Sequence, residues 1–196
     1  MIRMNDALKL IADRRDDAVV ITAMTGSRGW RQVSGEDQPL DVPLRGAMSK
    51  APSIALGVCM AQPDRKVIVI DGDGSLLMNL GALVTAAGKA PQNLYHFVLE
   101  NGVYAVTGGQ PVPNALQFSF AGMARSAGYR SAYEFDDLED FATRVDEIMS
   151  APGPVLVCLR TEPEVENTPI HLRPRSPRTM AQILGDLKQA ILGPKA

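Results

Sequence analysis

The residues best suited to chemistry in this sequence stand at the ends of two apolar runs. Asp71-Gly72-Asp73-Gly74-Ser75 follows the run 66–70, and Glu100-Asn101-Gly102 follows a second run about 25 residues later. A carboxylate and a carboxamide at the carboxyl ends of neighbouring parallel strands can together hold a hard cation against a diphosphate. The pattern therefore predicts a metal-assisted site for a phosphorylated cofactor.

The short side chains around Asp73 suit a loop that receives an anion. Gly72 and Gly74 allow the backbone to turn sharply off the strand and to approach a ligand closely. Ser75 can cap a helix beginning at the next residue, whose free N–H groups would favour phosphate oxygens. We expect Asp73, the Asn101 amide oxygen, a loop carbonyl, diphosphate oxygens and a water to surround Mg²⁺. An ordinary Asp-Gly turn would explain the first half of the pattern alone.

Three other metal or phosphate motifs are excluded by spacing. An EF-hand loop starting at Asp71 would need Gly in place of Leu76 and Glu in place of Ala82. A dinucleotide fingerprint starting at Gly72 would need a third Gly in place of Leu77. A Walker loop would need a Gly-Lys-Ser/Thr ending, which is absent.

Composition places this chemistry in an ordinary globular domain. The chain has 196 residues, 45% of them hydrophobic, and a formal net charge of −2 without a basic cluster, which disfavours nucleic acid as a partner. Cys59 and Cys158 are too few for a disulfide framework or an iron–sulfur site. We find no signal peptide and no apolar run of membrane-spanning length. We therefore expect residues 1–196 to form one domain in the cytoplasm, without a membrane partner.

Strands alternating with helices predict an α/β fold, a doubly wound parallel sheet with helices on both faces. The expected strands are continuous apolar runs, as is typical of buried parallel strands. They are 18–22, 66–71, 94–100 and 155–161, and the expected helices are 48–61, 76–89, 118–128, 138–150 and 179–192. The helices 48–61 and 76–89 are too apolar for the surface of a monomer. Either the core of the sheet hides them or a second subunit covers them.

The combined motifs resemble the signature of thiamine diphosphate enzymes, in particular of their diphosphate-binding domain. The strings 71–81 and 101–111 are most similar to those of sulfopyruvate and phosphonopyruvate decarboxylases, and the resemblance covers roughly residues 20–161. It implies the thiamin diphosphate-binding fold, thiamine diphosphate and Mg²⁺ as cofactors, and a small 2-oxoacid as substrate.

The resemblance also implies roles for individual residues. The metal ligands would be Asp73, Asn101 and the carbonyl of Val103. The Gly46 carbonyl would accept a hydrogen bond from the aminopyrimidine ring, and Met48 would support the bent cofactor. The full set of implied cofactor-binding residues is Thr25, Gly26, Gly46, Met48, Gly72, Asp73, Gly74, Ser75, Asn101, Val103, Tyr104 and Thr107.

Two residues depart from the family pattern. Glu100 stands where the family has Asn or Asp, and because successive strand side chains face opposite ways, Glu100 should point away from a metal held by Asn101. Val112 stands where the similar decarboxylases place Thr. This loop could lie near the substrate, so the identity of the 2-oxoacid that these decarboxylases use is not carried over to this chain.

The glutamate that activates the cofactor in this family comes from a pyrimidine-binding domain. About 45 residues precede Gly46, too few for such a domain, so we expect no catalytic residue in this chain and a hetero-oligomer in which a partner supplies the Glu. The predicted function is the diphosphate-binding subunit of a 2-oxoacid decarboxylase. The alternatives are a carboligase subunit similar to acetolactate synthase, an oxoacid oxidoreductase subunit, a non-catalytic cofactor-binding module and a metal-dependent phosphatase.

Charged and histidine side chains outside the motif give weaker indications. We expect His96 to be a hydrogen-bonded core residue, and His171 to be either solvated or an anion contact. Ser27 is a further candidate phosphate neighbour. The candidate anion contacts among the arginines are Arg28, Arg31 and Arg45.

Overall fold

The fold is described from a computed structural model, which covers residues 1–35, 38–44, 46–168, 172 and 178–193. Its helices are α1 (Met4–Ala12), α2 (Thr25–Ser34), α3 (Ala51–Ala61), α4 (Asp73–Leu77), α5 (Gly81–Lys89), α6 (Phe120–Ala127), α7 (Leu138–Ser150) and α8 (Met180–Leu192), with a 3₁₀ turn at Ala105–Thr107. Its strands are β1 (Val19–Ala23), β2 (Asp41–Leu44), β3 (Val67–Gly72), β4 (Leu94–Glu100), β5 (Val103–Tyr104), β6 (Gln110–Pro111), β7 (Ser131–Phe135) and β8 (Val155–Arg160).

Six strands form one parallel sheet in the order β2-β1-β3-β4-β8-β7, and β5 pairs with β6 in a short antiparallel hairpin. The central strands β1, β3, β4 and β8 are the four apolar runs expected from the sequence. They are buried along nearly their whole length. The predicted doubly wound sheet is therefore confirmed.

Helices cover both faces of this sheet. The apolar sides of α1, α2 and α7 pack on one face, around Trp30 and Phe141. The apolar sides of α3, α5, α6 and α8 pack on the other, around Leu83 and Phe120. In the part of the chain that the structure describes, no helix is long and apolar enough to cross a membrane.

Two helices that precede or follow the motif differ from the prediction. The helix expected over 48–61 begins at Ala51 with a proline in its first turn, where the missing N–H costs nothing. The helix expected over 76–89 is divided into α4 and α5. Between them, Asn79 N–H bonds to Leu76 O and Ala82 N–H bonds to Asn79 O, so tight i→i+3 turns replace the regular helical bonds.

Candidate cofactor site

The carboxyl ends of β1, β3 and β4 open onto one cavity with an empty volume of about 420 Å³, part of it open to solvent. This is the edge at which open parallel sheets bind ligands. Ten of the twelve residues singled out from the sequence line it: Thr25, Met48, Gly72, Asp73, Gly74, Ser75, Asn101, Val103, Tyr104 and Thr107. Both halves of the motif therefore meet in one place.

Asp73 connects the two halves of the motif directly. It is the first residue of α4 and is 4% exposed. One carboxylate oxygen accepts the Gly74 N–H at 2.7 Å and the other accepts the Gly102 N–H, also at 2.7 Å. Burial raises the pKa of Asp73 to about 6, while the N–H donors act in the opposite direction. The carboxylate is thus held by backbone donors in a place that disfavours its charge.

Asn101 follows the last residue of β4, next to Asp73 in the fold. The register of β3 and β4 places Gly72 opposite Leu99, so the chain leaves both strands at the same level. The Asn101 Oδ1 accepts the Val103 N–H at 3.0 Å, across a turn in which Gly102 has φ +73°. This positive φ favours glycine. The turn aligns the carboxamide oxygen of Asn101 and the Asp73 carboxylate at one sheet edge.

Ser75 does not cap a helix, contrary to the sequence-based expectation. The helix α4 already begins at Asp73, with Gly72 at the N-cap position, so Ser75 lies inside its first turn. The Ser75 hydroxyl accepts the Ser49 N–H at 3.0 Å and also hydrogen-bonds with Asp71. It therefore ties the segment before α3 to the motif, while still lining the cavity.

Asp71 is a second buried carboxylate beside Asp73. It is fully buried, one oxygen accepts the Gly72 N–H at 2.9 Å, and the other has no hydrogen-bond partner among the described residues. Burial raises the pKa of Asp71 to about 6, and the nearby charge of Asp73 raises it further. This corner of the sheet therefore holds two buried carboxylates, Asp71 and Asp73, whose charges repel each other.

The donor set fits a magnesium ion better than a softer metal. No group of three or more His, Cys, Asp or Glu side chains in the described ranges is placed to hold a metal. A site here would depend on Asp73, the amide oxygen of Asn101 and a backbone carbonyl such as that of Val103. Mg²⁺ takes oxygen ligands of these types and uses few carboxylates when substrate phosphates and waters complete its shell. A cation would also offset the uncompensated charge of Asp71.

Gly74 permits a close approach that no other residue would allow. A Cβ at this position would lie 2.4 Å from the ring of Tyr104, far inside van der Waals contact. The Tyr104 ring therefore lies directly over the glycine loop, and both residues line the cavity. This contact joins the β3 side of the site to the hairpin β5–β6.

Gly26 and Gly46 are the two singled-out residues that do not line the cavity. Gly26 is buried, and a Cβ there would lie 2.9 Å from the carbonyl oxygen of Ile70, so it allows α2 to pack closely on β3. Gly46 is exposed with φ +61°. Close packing explains a glycine at position 26, and a positive φ explains one at position 46. A ligand contact for either residue remains a prediction.

Four further lining residues were not singled out as site residues from the sequence. Met24, Leu99, Ala105 and Val106 also line the cavity. Met24 comes directly after β1 and has φ +46°, unusual for a residue other than glycine. Apolar residues in turns and at strand ends cannot be distinguished from core residues by pattern alone, so sequence reasoning does not find them.

The weaker candidates lie away from the cavity or outside the described residues. The guanidinium of Arg28 pairs with Glu164 at 3.1 Å and with Glu166 at 3.6 Å, so it is already neutralised within the chain. Arg31 is exposed on α2. Ser27 accepts a hydrogen bond from Thr22 at 2.8 Å. Arg45 and His171 lie outside the described residues.

Glu100 and Val112 are both buried and do not line the cavity. The Glu100 carboxylate contacts Cys158 Sγ at 3.4 Å and Arg160 Nε at 3.3 Å, both on β8. This agrees with the expectation that Glu100 turns away from the metal site.

Comparison with known proteins agrees with this geometry. Residues 22–159 match the family described as thiamine pyrophosphate enzyme, C-terminal TPP binding domain. A phosphonopyruvate decarboxylase of Streptomyces viridochromogenes is 39% identical over 76% of this chain and 36% of its own length. The sulfopyruvate decarboxylase subunit beta of Methanothermobacter thermautotrophicus is 34% identical over 87% of this chain and 88% of its own length. The chain thus spans little more than a third of the first relative and most of the second.

A solved structure shares the fold. It is that of a protein from Mycobacterium smegmatis, provisionally described as a thiamin diphosphate-dependent enzyme, with a TM-score of 0.70 over 83% of this chain and 32% of that one. The sequence identity of 22% makes this a likeness of fold alone.

Proposed function

This chain belongs to the thiamine pyrophosphate enzymes, whose C-terminal TPP binding domain it contains, and we propose that it is the diphosphate-binding subunit of a Mg²⁺-dependent 2-oxoacid decarboxylase. The observation that carries the proposal is the meeting of Asp73 and Asn101 at the ends of adjacent strands, where both residues line the same cavity. On this proposal residues 1–196 form one cofactor-binding domain, and the enzyme works in the cytoplasm.

The residues of this chain bind and orient the cofactor. Asp73, the Asn101 amide and the Val103 carbonyl would hold Mg²⁺, which in turn anchors the diphosphate. When bound, thiamine diphosphate supplies an electron sink that allows a 2-oxoacid to lose carbon dioxide. The other proposed cofactor-binding residues fall into two groups, one near the diphosphate and one near the rings. Thr25, Gly26, Gly72, Gly74, Ser75, Tyr104 and Thr107 would surround the diphosphate, and Gly46 and Met48 would contact the rings.

Met48 is suited to support two aromatic rings. It is half-buried, lines the cavity and lies in the turn before α3. Its flexible thioether adapts to irregular apolar space against aromatic surfaces. We therefore assign to Met48 the support of the cofactor's rings.

A partner chain would complete the active site. Relatives named sulfopyruvate decarboxylase subunit beta have nearly the length of this chain, which supports a division of the enzyme into two kinds of subunit. The partner would supply the pyrimidine-binding half and the glutamate that activates the cofactor. The substrate class that the relatives' names favour is a small 2-oxoacid with a sulfonate or phosphonate group.

The proposal is tested by calorimetric titration with thiamine diphosphate, with and without Mg²⁺. The wild-type chain should bind the cofactor only with Mg²⁺, and Asp73→Ala should lose this binding. Asp146→Ala is the matched control and should bind the cofactor normally, because it removes an exposed carboxylate of α7 that pairs with Arg14, far along the chain from the motif. Equal affinity of Asp73→Ala and wild type would refute the metal-ligand assignment.

Product analysis of the reconstituted complex tests the reaction itself. Release of a free aldehyde from a 2-oxoacid supports the decarboxylase, whereas a lengthened hydroxyketone would identify a carboligase. Cofactor binding without turnover in the presence of the partner would identify a non-catalytic module.

A further inference from the structure

Glu100 is a buried carboxylate, and burying a charged side chain needs a physical explanation. It is the last residue of β4, 1% exposed, and immediately precedes Asn101. One of its oxygens has no hydrogen-bond partner among the described residues. Removing a carboxylate from water costs several kcal/mol, and an apolar replacement of a buried ion pair is often neutral or stabilising. Stability alone therefore does not explain a glutamate at this position.

The second oxygen of Glu100 belongs to a chain of charged contacts along the carboxyl edge of the sheet. It accepts from Arg160 Nε at 3.3 Å, and the same guanidinium pairs with Glu134 on β7. Glu134 accepts from the hydroxyl of Ser119 at 2.8 Å. Ser119 in turn caps α6 by accepting the Gly122 N–H at 2.9 Å. Side chains thus join β4, β8, β7 and α6 near the carboxyl ends of the strands.

The backbone reinforces this anchor at the same residue. Thr161 N–H donates to the Glu100 carbonyl at 2.9 Å, and the register pairs Glu100 with Arg160. The end of β4 is therefore attached to β8 through both its main chain and its side chain. Arginine suits this role because its planar fork can bind two carboxylates at once.

The anchored end of β4 is also the base of the turn that carries the metal-site residues. Asn101 is the next residue, and the following N–H, that of Gly102, donates to Asp73 at 2.7 Å. Because Mg²⁺ demands near-octahedral ligation and tolerates little displacement of its ligands, the position of this base affects the site. Glu100 and Arg160 themselves do not line the cavity.

We propose that the Glu100–Arg160 ion pair is a positioning device for Asn101, which sets the affinity of the chain for Mg²⁺ without contacting the metal or the cofactor. This inference rests on the proposed function, since it assigns Asn101 to the metal. It assigns a role to a residue that differs from the family's usual Asn or Asp.

The test measures how much Mg²⁺ the chain needs in order to bind thiamine diphosphate. Glu100→Gln and Arg160→Gln should each raise the Mg²⁺ concentration for half-maximal cofactor binding by about tenfold, as is usual for residues that orient a metal ligand. At saturating Mg²⁺ the cofactor affinity should return to the wild-type value. The double variant should be no weaker than the weaker single variant, because both act through one contact. Arg14→Gln, which removes the distant Arg14–Asp146 pair, is the matched control.

Arg160→Lys provides a variant with the charge retained. Lysine cannot reproduce the planar fork, so we expect a smaller shift than in Arg160→Gln, with an unfolding midpoint close to that of the wild type. A smaller shift in Arg160→Lys than in Arg160→Gln, at an unchanged unfolding midpoint, distinguishes positioning of Asn101 from a general loss of structure. This comparison does not depend on whether Glu100→Gln folds.

The outcomes distinguish the inference from the proposed function. A wild-type chain without Mg²⁺-dependent binding would overturn the proposed function and the inference with it. Wild-type binding with unchanged Mg²⁺ requirement in Glu100→Gln and Arg160→Gln would overturn the positioning role alone. Weaker cofactor binding that saturating Mg²⁺ does not restore, together with a lowered unfolding midpoint, would also overturn it.

Discussion

His96 is a fully buried polar side chain that the proposed function does not use. It lies in the middle of β4, between Val69 and Leu156 of the neighbouring strands. The sequence predicts a core residue with hydrogen-bond partners, and only the first part is correct. Neither ring nitrogen has a partner in the part of the chain that the structure describes. Burial lowers the pKa of His96 to about 3, so the folded protein holds the ring neutral.

This burial predicts a pH dependence of stability. An unfolded histidine titrates near its ordinary pKa of about 6.5, so between that pH and about 3 the unfolded chain binds one proton more than the folded chain. Above pH 6.5 the ring is neutral in both states, so the stability that the folded protein has with a neutral His96 is fully present there. It falls by about 1.4 kcal/mol for each pH unit below it. Replacing the ring by an apolar side chain removes this loss.

We expect His96→Leu to gain stability relative to the wild type as the pH is lowered from 6 to 4. Urea denaturation at several pH values measures the difference between the two proteins, in which the contributions of the carboxylates largely cancel. Parallel stability curves for His96→Leu and wild type over this range would contradict the assignment of the lowered pKa.

At the scale of elements, the sequence predicts most where the chain is buried on both sides. The central strands are continuous apolar runs, and residues that follow such strands must meet at one edge. The strand pattern is therefore sufficient to place Asp73 and Asn101 together. The same reasoning does not locate Gly46, which follows the edge strand β2.

The edge strands and the local turns carry no comparable signal. β2 contains Pro43, and β7 is only half-buried along most of its length, so neither gives a continuous apolar run. Leu76 to Lys89 is apolar across the turn between α4 and α5, which hides the break. The expected role of Ser75 is wrong because its partner, Ser49, is distant in sequence.

Residues 162–168 form a segment that contacts the 3₁₀ turn, whose residues line the cavity. The Glu166 N–H donates to the Ala105 carbonyl at 2.8 Å, and Val165 packs on Gly109. Arg28 at the start of α2 pairs with Glu164 and Glu166, so α2 and the 3₁₀ turn are linked through this segment. Both α2 and the turn contribute residues to the cavity.

We expect Arg28→Met to loosen this segment. Losing two partly exposed ion pairs, together worth about 1 kcal/mol, should make the amides of residues 162–168 exchange with deuterium about fivefold faster. Hydrogen–deuterium exchange measured by mass spectrometry provides the readout. Arg14→Met, which breaks an ion pair with α7, should leave this segment unchanged. Equal exchange in Arg28→Met and the wild type would show that the ion pairs do not hold the segment.

At the scale of the whole molecule, the helices on the two faces of the sheet differ in the side chains that they expose to solvent. Exposed large apolar side chains occur on α3, α5 and α8, all on one face, and none of those identified in the described residues lies on α1, α2 or α7. They include Ile54 and Met60 on α3 and Val84 on α5. The helix α7 is exposed instead through charged residues such as Glu139 and Arg144. The inner sides of α3 and α5 are buried against the sheet.

The sequence left open whether the core or a second subunit covers these two apolar helices, and the structure shows that the core covers only their inner sides. Their outer sides remain available to the partner of the proposed enzyme. Exposed apolar side chains that lie together can mark a protein interface, and Ile54 on α3 lines one groove with Leu184 and Leu192 on α8. The proposed partner would then bind near the cavity, because α3 begins shortly after Met48, which lines it.

Val84→Glu tests this placement of the partner. Val84 is 63% exposed, so the new carboxylate is solvated in the free chain and the circular dichroism spectrum and unfolding midpoint should not change. In a complex that buries α5, the same carboxylate would lose water without a partner. Assembly with the pyrimidine-binding subunit, measured by sedimentation velocity, should therefore weaken by roughly a hundredfold. Thr143→Glu adds the same charge to an exposed position of α7 on the other face and should assemble normally. Normal assembly of Val84→Glu would place the partner elsewhere, because a buried, unpaired charge cannot be accommodated without a cost of this size.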